Sequence, residues 1–386
     1  MLKKIFLKSG DLMTQCKRCL YDTDMKGVTL EEDGVCNYCK IHDKLENMYP
    51  QDEKILDKII DEIKNKTKNN KYNCVIGISG GCDSSYMLWK LKQKGLNPLA
   101  VHWDNGWNTE YAENNISVMT KKLSVDLIRY NANDIYHELN KSFLYASVKD
   151  ADIPNDIALL ALVLYTAEKY KIKYNFSGHD FRTEGTCPPC WTFMDTRYLK
   201  DVYKKYTNKE LHNFPTYTLL QQIIWGFKSI KTVRPLYYIN KTKAQKKIEL
   251  EKEFGWKDYG AMHCENIYTM FVGNYIYAKK FSIDMRRTEL SARIRSKYIT
   301  KEDALKILEQ PIEIDDKYVE MIAKKYFKSK EEFLKVMCYK NKTFEDYGNY
   351  FKRFKSYKFL FWLGMKINIF PVTYYEKYTK DARWFK

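Results

Sequence analysis

Cys74-Val-Ile-Gly-Ile-Ser79-Gly80-Gly81-Cys82-Asp83-Ser84-Ser85 is the stretch whose reading decides the fold. Its first half is a short apolar run, as a strand buried on both faces of a parallel sheet would be. Two glycines then break the run, and Ser84 to Lys94 follows with a helical pattern closed by Gly95. A strand that feeds a helix through a glycine turn makes a seat for an oxyanion. The glycines let backbone N–H groups come close, Ser79, Ser84 and Ser85 add hydroxyl donors, and the helix N-terminus adds its positive dipole end. The spacing is not the Gly-x-x-x-x-Gly-Lys-[Ser/Thr] of an ordinary P-loop. Asp83 would repel a phosphate, and an oxygen-ligated Mg²⁺ between the two is the expected resolution.

Working outward, the pattern of strand and helix repeats. Leu99 to Trp103 reads as a second strand, Asn114 to Lys122 as a helix, and Val125 to Arg129 as a third strand. Asn155 to Lys169 is a long helix with an apolar face, and Ile172 to Phe176 is a fourth strand ending at Ser177-Gly178-His179. Such alternation predicts an α/β fold, a parallel sheet covered on both faces. On the N-terminal side, a helix over Asp52 to Lys64 runs into the polar linker Asn65 to Tyr72. On the C-terminal side, the chain from about Tyr237 is dense in Lys, Glu and Tyr at helical spacing. Thr300-Lys-Glu-Asp303 marks a helix start there, a capping-box pattern with Asp for the usual Glu or Gln. Three units are expected, 1–50, 51–236 and 237–386, with no internal repeat.

With 386 residues, 45% hydrophobic and 30% charged, the chain has enough apolar residues for a sizeable core. The longest apolar reading, Ile157 to Tyr165, is too short to cross a bilayer, and Met1 to Leu7 lacks the apolar stretch of a signal peptide. A cytoplasmic location without a membrane span is expected. The formal charge of +17 attracts anions, without choosing between RNA and a small phosphorylated ligand. Local runs such as Lys241, Lys243, Lys246 and Lys247 read as a solvated basic surface.

Six of the ten cysteines form Cys-x-x-Cys pairs, Cys16/Cys19, Cys36/Cys39 and Cys187/Cys190. The first two pairs have the spacing of a four-thiolate zinc ribbon, in which a closed tetrahedral site staples a segment too short for its own core. That site is expected to be structural. Cys187-Pro-Pro-Cys190 lies just after Gly178-His179-Asp180, and Cys264 is a candidate third member. A redox pair, a second zinc site, a cluster site and a stiff turn with incidental thiols are all open for it.

Ser79-Gly-Gly-x-Asp83-Ser84 after a first strand resembles the PP-loop of the ATP pyrophosphatases. His102-Trp103-Asp104-Asn105-Gly106 at the end of the second strand and Arg234-Pro235-Leu236 agree with it. A narrower resemblance, to the N-acetyl sugar amidotransferase family, rests on several segments. These are Phe181-Arg-Thr-Glu-Gly185, Trp191-Thr-Phe-Met-Asp195, Trp256-Lys-Asp-Tyr-Gly260, His263, Glu265, Lys280-Phe281, Asp284, Arg286-Arg287, Leu290-Ser291 and Ile299 to Ala304. It runs from the first cysteine pair to about residue 310, and the sequence departs from the family's pattern at Ala261-Met262 and Cys264.

The resemblance implies an α/β parallel-sheet PP-loop domain (adenine nucleotide alpha hydrolase-like, Rossmann-like), preceded by the zinc-ribbon segment and followed by a mostly helical C-terminal region. It implies that Ser79, Gly80, Gly81, Asp83, Ser84 and Ser85, with Mg²⁺, hold the phosphates of ATP. It places the adenosine at His102, Trp103, Asp104, Gly178 and His179. The activity it implies is transfer of AMP to the acetamido oxygen of a nucleotide-activated N-acetyl sugar, followed by replacement of that oxygen with ammonia. The acetamidino sugar so made would serve pseudaminic acid, flagellin glycan or lipopolysaccharide synthesis. Asp83 and Ser84 are the implied catalytic residues of the loop, and His263, Glu265, Arg286 and Arg287 the candidates that orient the sugar. No Gly-x-Cys-x-Gly nucleophile turn occurs in the chain, so a separate glutaminase subunit is the expected source of ammonia. Nucleic acid is not an expected partner. The competing enzyme is a PP-loop tRNA thiolase using Cys187 and Cys190, and the non-enzymatic alternative is a zinc-ribbon nucleic-acid adaptor.

Overall fold

The computed structural model describes residues 14–356 except 189, 219, 222–223, 226–229 and 261–263, together with 359, 362–363 and 366. Five parallel strands form its sheet: β1 (Cys74–Gly77), β2 (Pro98–Asp104), β3 (Leu127–Asn131), β4 (Tyr174–Phe176) and β5 (Lys231–Val233), in the order β3-β2-β1-β4-β5. Val75 pairs with Leu99 on one side of β1 and with Asn175 on the other, so β1 lies at the centre. The period of two sorts its residues: Cys74 and Ile76 enter one apolar cluster and Val75 another, with Ala100 on the first side and Leu99 and Val101 on the second. Both faces are buried, as the continuous apolar runs predict.

The helices that matter for the site flank these strands. α1 (Asn37–Met48) follows the cysteine segment, and α2 (Glu53–Lys66) leads into β1. α3 (Cys82–Gln93) starts two residues before the predicted Ser84, because Gly81 is its N-cap. α4 (Glu110–Lys122) starts four residues early, capped by the Thr109 hydroxyl, which accepts from the Ala112 N–H at 3.2 Å. α5 (Asp134–Ala146), absent from the sequence reading, buries Tyr136, Leu139, Asn140, Phe143 and Leu144 at helical spacing. α6 (Ile153–Lys169) brings Val163 and Ala167 against Val75 and Val101, and α7 (Thr196–Thr207) packs on α5.

β3 lies two residues later than the predicted Val125–Arg129, since its register is set by pairing Ala100 with Leu127. β5, the edge strand, was not read from the sequence; its three residues are too few to show a period.

The C-terminal region is helical, as expected: α8 (Lys243–Phe254), α9 (Ile267–Phe271) running on as a π-helix (Val272–Lys280), α10 (Arg286–Arg295), α11 (Lys301–Glu309), α12 (Asp316–Tyr326), α13 (Lys330–Met337) and α14 (Phe351–Ser356). The Thr300 hydroxyl accepts from the Asp303 N–H at 3.1 Å, so the predicted cap is present. One apolar cluster takes in the cysteine segment, α5, α6, α7, α9, the π-helix, α12, α13 and α14, so parts of the three expected units share a core. No helix among the described residues is long and apolar enough to cross a membrane.

Candidate active site and metal centre

The chain builds β2 and β3 on one side of β1, then returns to the other side for β4. In an open parallel sheet this reversal leaves a crevice at the carboxyl ends of the two central strands. The loop Ser79–Ser85 leaves β1 there, and Ser177 to Asp180 leaves β4. The two loops touch: a Cβ on Gly178 would lie 3.5 Å from the Ser84 nitrogen.

The loop's shape depends on its glycines. Gly80 has φ +78°, and any Cβ there would strike the Ala112 backbone. Its carbonyl is held by two long-range donors, Asn115 Nδ2 and Trp256 Nε1, each at 3.2 Å. Gly81 is hemmed in by Glu265 Oε1 and Tyr259 Oη, 2.8 and 3.2 Å from where its Cβ would stand. Ser79 Oγ accepts from the Gly81 N–H at 3.2 Å and lies 3.3 Å from Ser84 Oγ, while Ser85 is fully buried in the first turn of α3. At the expected anion cradle, backbone and hydroxyl groups thus meet over a helix N-terminus, with the Cys82 N–H donating to Tyr259 Oη at 3.0 Å.

Asp83 has cationic partners that the sequence reading did not provide for. Lys246, fully buried on α8, places Nζ 2.9 Å from Asp83 Oδ1 and 3.3 Å from Asp180 Oδ2, and Lys243 stands 3.9 Å from Asp83. Burial opposes the Lys246 charge, but Asp83 and Asp180 outweigh it and push its pKa above the usual lysine value. The basic run Lys241 to Lys247 is therefore split: one face of α8 enters the crevice. The apolar residues on that face, such as Leu250 and Phe254, carried a faint signal for this. Glu184, from the Phe181–Gly185 motif, joins the same group. Burial, with the Asp83 and Asp180 charges and against Lys243 and Lys246, drives its carboxyl well above the usual range. The expected Mg²⁺ would take carboxylate oxygens, and Asp83, Asp180 and Glu184 stand beside the loop, with Lys246 between the first two.

The residues assigned to adenosine divide. His179 stays in the crevice, its Nδ1 3.1 Å from Tyr237 Oη, and burial and Arg234 push its pKa down to about 4. His102 is buried: Nδ1 donates to the Ile78 carbonyl at 2.7 Å, and Nε2 accepts from Asn108 Nδ2 at 2.9 Å. It ties the end of β2 to the end of β1. Trp103 packs edge-on against Tyr136, and Asp104 forms an ion pair with Arg129 at 3.1 Å. Arg129 also reaches Glu113 at 2.8 Å, so the grouping of His102, Asp104 and Glu113 already holds a cation of the chain itself.

The structure brings Glu265 to the loop at Gly81. His263 lies outside the described residues. Arg286 grips Asp284 and donates to the carbonyls of Ile307, Leu308 and Gln310, closing the end of α11. Arg287 donates to the Leu20 carbonyl and to Asp22, so it fastens α10 to the cysteine segment. Both guanidinium groups are thus engaged in structural contacts. Cys187 Sγ lies 3.5 Å from Thr192 Oγ1. Among the described residues, Cys187, Cys190 and Cys264 do not form a group with ligand atoms within 4.8 Å of one another.

The four N-terminal cysteines do. Sγ separations are 3.8 Å for Cys16 and Cys39, 3.7 Å for Cys19 and Cys36, and 3.6 Å for Cys36 and Cys39. A tetrahedral zinc with Zn–S bonds of about 2.3 Å needs sulfurs about 3.8 Å apart. Backbone N–H groups of Arg18, Cys19 and Cys36 point at Cys16 Sγ, at 3.4, 3.5 and 3.2 Å. Arg295, buried on α10, donates to Cys19 Sγ at 3.1 Å and Cys39 Sγ at 3.4 Å and covers the Tyr21 ring. Burial and the Cys16 contact push the Cys19 thiol up, but the hydrogen bonds of Cys36 and Cys39 and the Arg295 charge bring it down to about 6. The donor set fits a closed zinc site.

Residues 265–360 match the family model described as LPS biosynthesis protein WbpG-like, C-terminal domain. An uncharacterized protein of Methanocaldococcus jannaschii, MJ1599, is 24% identical over 306 residues, which cover 77% of this chain and 94% of that protein. Among solved structures, the NMN synthetase from Francisella tularensis matches 76% of this chain and 94% of its own, at 15% identity and a TM-score of 0.31. The NH3-dependent NAD synthetase from Campylobacter jejuni, in complex with the nitrate ion, matches 46% and 82%, at 17% identity and 0.27. The predicted subunit of tRNA methyltransferase from Methanocaldococcus jannaschii matches 46% and 72%, at 16% identity and 0.27. Structural likeness at this level carries no argument about function. What stands is a five-stranded parallel α/β fold with the phosphate-type loop at its switch point, a four-cysteine centre, and a WbpG-like C-terminal region.

Proposed function

We propose that this chain is an ATP-dependent amidotransferase that transfers AMP to the acetamido oxygen of an N-acetyl sugar and then exchanges that oxygen for ammonia. The observation that carries the reading is the Ser79–Ser85 cradle at the switch point, with Lys246 and Lys243 at Asp83. The WbpG-like match over residues 265–360 adds support from sugar-polymer synthesis.

The chemistry follows from the groups present. An acetamido carbonyl is a poor electrophile, and its oxygen leaves badly. Adenylation converts that oxygen into the bridging atom of a phosphate ester; ammonia then adds to the carbon, and the C–O bond breaks with its electron pair going to AMP. The chain's part is to hold charge in fixed positions. Ser79, Ser84 and the N-terminus of α3 would face the departing pyrophosphate, and Lys243 would add positive charge at its edge. Mg²⁺, when bound, would neutralise phosphate oxygens. His179, neutral near pH 7, is suited to accept or donate a hydrogen bond without adding charge. The zinc held by Cys16, Cys19, Cys36 and Cys39 would be structural. Ammonia would come from a separate glutaminase subunit.

The test is product analysis. The chain is incubated with Mg-ATP, ammonium salt and UDP- or CMP-linked N-acetyl sugars, with AMP and pyrophosphate measured and the sugar examined by mass spectrometry. Sugar-dependent pyrophosphate, with oxygen replaced by NH, is the expected result. Pyrophosphate released only with tRNA and a sulfur donor would overturn it in favour of a thiolase.

A further inference from the structure

We propose that Glu265, from the C-terminal region, is a protein ligand of the divalent cation that accompanies the nucleotide's phosphates on the Ser79–Ser85 loop. The proposal rests on the ATP-dependent reading above and adds to it the residue that holds the cation.

Glu265 is fixed in place through its backbone. Its carbonyl accepts from the Thr109 N–H at 3.0 Å and from Thr109 Oγ1 at 3.2 Å. Its neighbour Asn266 bridges to Asn108 and caps α9, accepting from the N–H groups of Tyr268 and Thr269. From this anchored position the side chain reaches the loop, where Oε1 comes so close to Gly81 that a Cβ there would lie 2.8 Å away. Oε2 is buried and has no hydrogen-bond partner among the described residues. Two N–H donors of the loop are already engaged: that of Gly81 donates to Ser79 Oγ at 3.2 Å and that of Cys82 to Tyr259 Oη at 3.0 Å.

The other carboxyls around the loop are accounted for. Asp83 and Asp180 share Lys246, and Asp83 also has Lys243. Glu184 stands 3.8 Å from His179 Nε2. Glu265 is therefore the carboxylate at the cradle whose charge no described side chain balances. A buried carboxylate oxygen without a donor is unfavourable, and a polyphosphate seated on the same loop brings like charge beside it. A hard cation between the two relieves both. Mg²⁺ takes one or two carboxylates together with phosphate oxygens and water, which a single rigid Glu at the rim of a phosphate cradle can provide.

The experiment measures binding, not turnover. The full chain is titrated with α,β-methylene-ATP in the presence of Mn²⁺ or of EDTA, with bound Mn²⁺ followed by electron paramagnetic resonance. The wild type is expected to bind the analogue at least tenfold more tightly with Mn²⁺. Glu265→Gln should lose that enhancement and bind the metal-free analogue as well as the wild type or better, since a repelling charge is gone. A residue that only supported the fold would not give this inversion. Glu265→Asp should keep part of the enhancement, with circular dichroism confirming that each variant is folded. Full enhancement in Glu265→Gln would overturn the assignment. A wild type that bound the analogue under neither condition would bring down the ATP reading itself, and this inference with it.

Discussion

Replacing Lys246 with Met tests whether the α8 lysine holds the crevice together. Lys246 is fully buried and sits 2.9 Å from Asp83 Oδ1 and 3.3 Å from Asp180 Oδ2. Met keeps most of the aliphatic volume, so the cavity contribution is small and the effect is electrostatic. Removing one partner of a buried pair leaves an uncompensated charge and costs about 3–5 kcal/mol. Both carboxylates are affected here, with side-chain exposures of 11% for Asp83 and 3% for Asp180. At about 2.1 cal/mol/K of unfolding entropy per residue, a chain of 386 residues unfolding as one unit has about 0.8 kcal/mol/K, so Tm should fall by about 4–6 °C. Calorimetry of the two proteins side by side at pH 7.5 is the assay. Adding Asp180→Asn to the Met variant should recover a good part of the loss, because the pair is coupled. A Tm unchanged within about 1 °C, or no recovery in the double variant, would refute the view that Lys246 carries the charge balance of the loop.

Gly80→Ala should abolish nucleotide binding while the chain stays folded: its φ of +78° and the Ala112 backbone leave no place for a methyl group, and equilibrium dialysis with an ATP analogue would show the loss. Arg295→Met should weaken zinc retention by about tenfold or more, read as earlier metal release in a chelator titration, since this cation partners Cys19 and Cys39; Cys16→Ser should drop the zinc content from one per chain. His179 contributes a pH dependence with a defined sign. Its folded pKa of about 4 lies below the ordinary 6.5, so the unfolded chain takes up the proton first, and stability falls as pH drops from about 6.5 through about 4. His179→Asn should flatten that part of a Tm-against-pH curve, and an unchanged curve would count against a neutral, half-buried His179.

Much of the fold was legible because parallel strands and the loop after β1 are local features. The run Cys74–Gly77 is apolar throughout and is followed by Gly80, Gly81 and a helix, so both strand type and anion seat follow from neighbouring residues. The same holds for the four cysteines, whose pairing in space needs only two tight turns and one metal. Element limits were less legible. β3 is placed by its partner Ala100 and not by its own residues, and β5 is only three residues long. α5 shows a helical period in Tyr136, Leu139, Phe143 and Leu144 and could have been found.

The sequence by itself determined the fold class, the glycine turn after β1 and the thiol set, because each is written in residues close along the chain. Tertiary structure decided which charges meet. Lys246 looked like one of several surface lysines until the packing of α8 placed it between Asp83 and Asp180, 163 and 66 residues away. Arg287 was a candidate for orienting the sugar, and α10 docks on the cysteine segment and gives its donors to Leu20 and Asp22. Glu265 gained its position at Gly81 through a backbone anchor to Thr109, 156 residues distant. Electrostatic partners act through space, over a few ångströms, and spacing along the chain does not encode which helix face will turn inward.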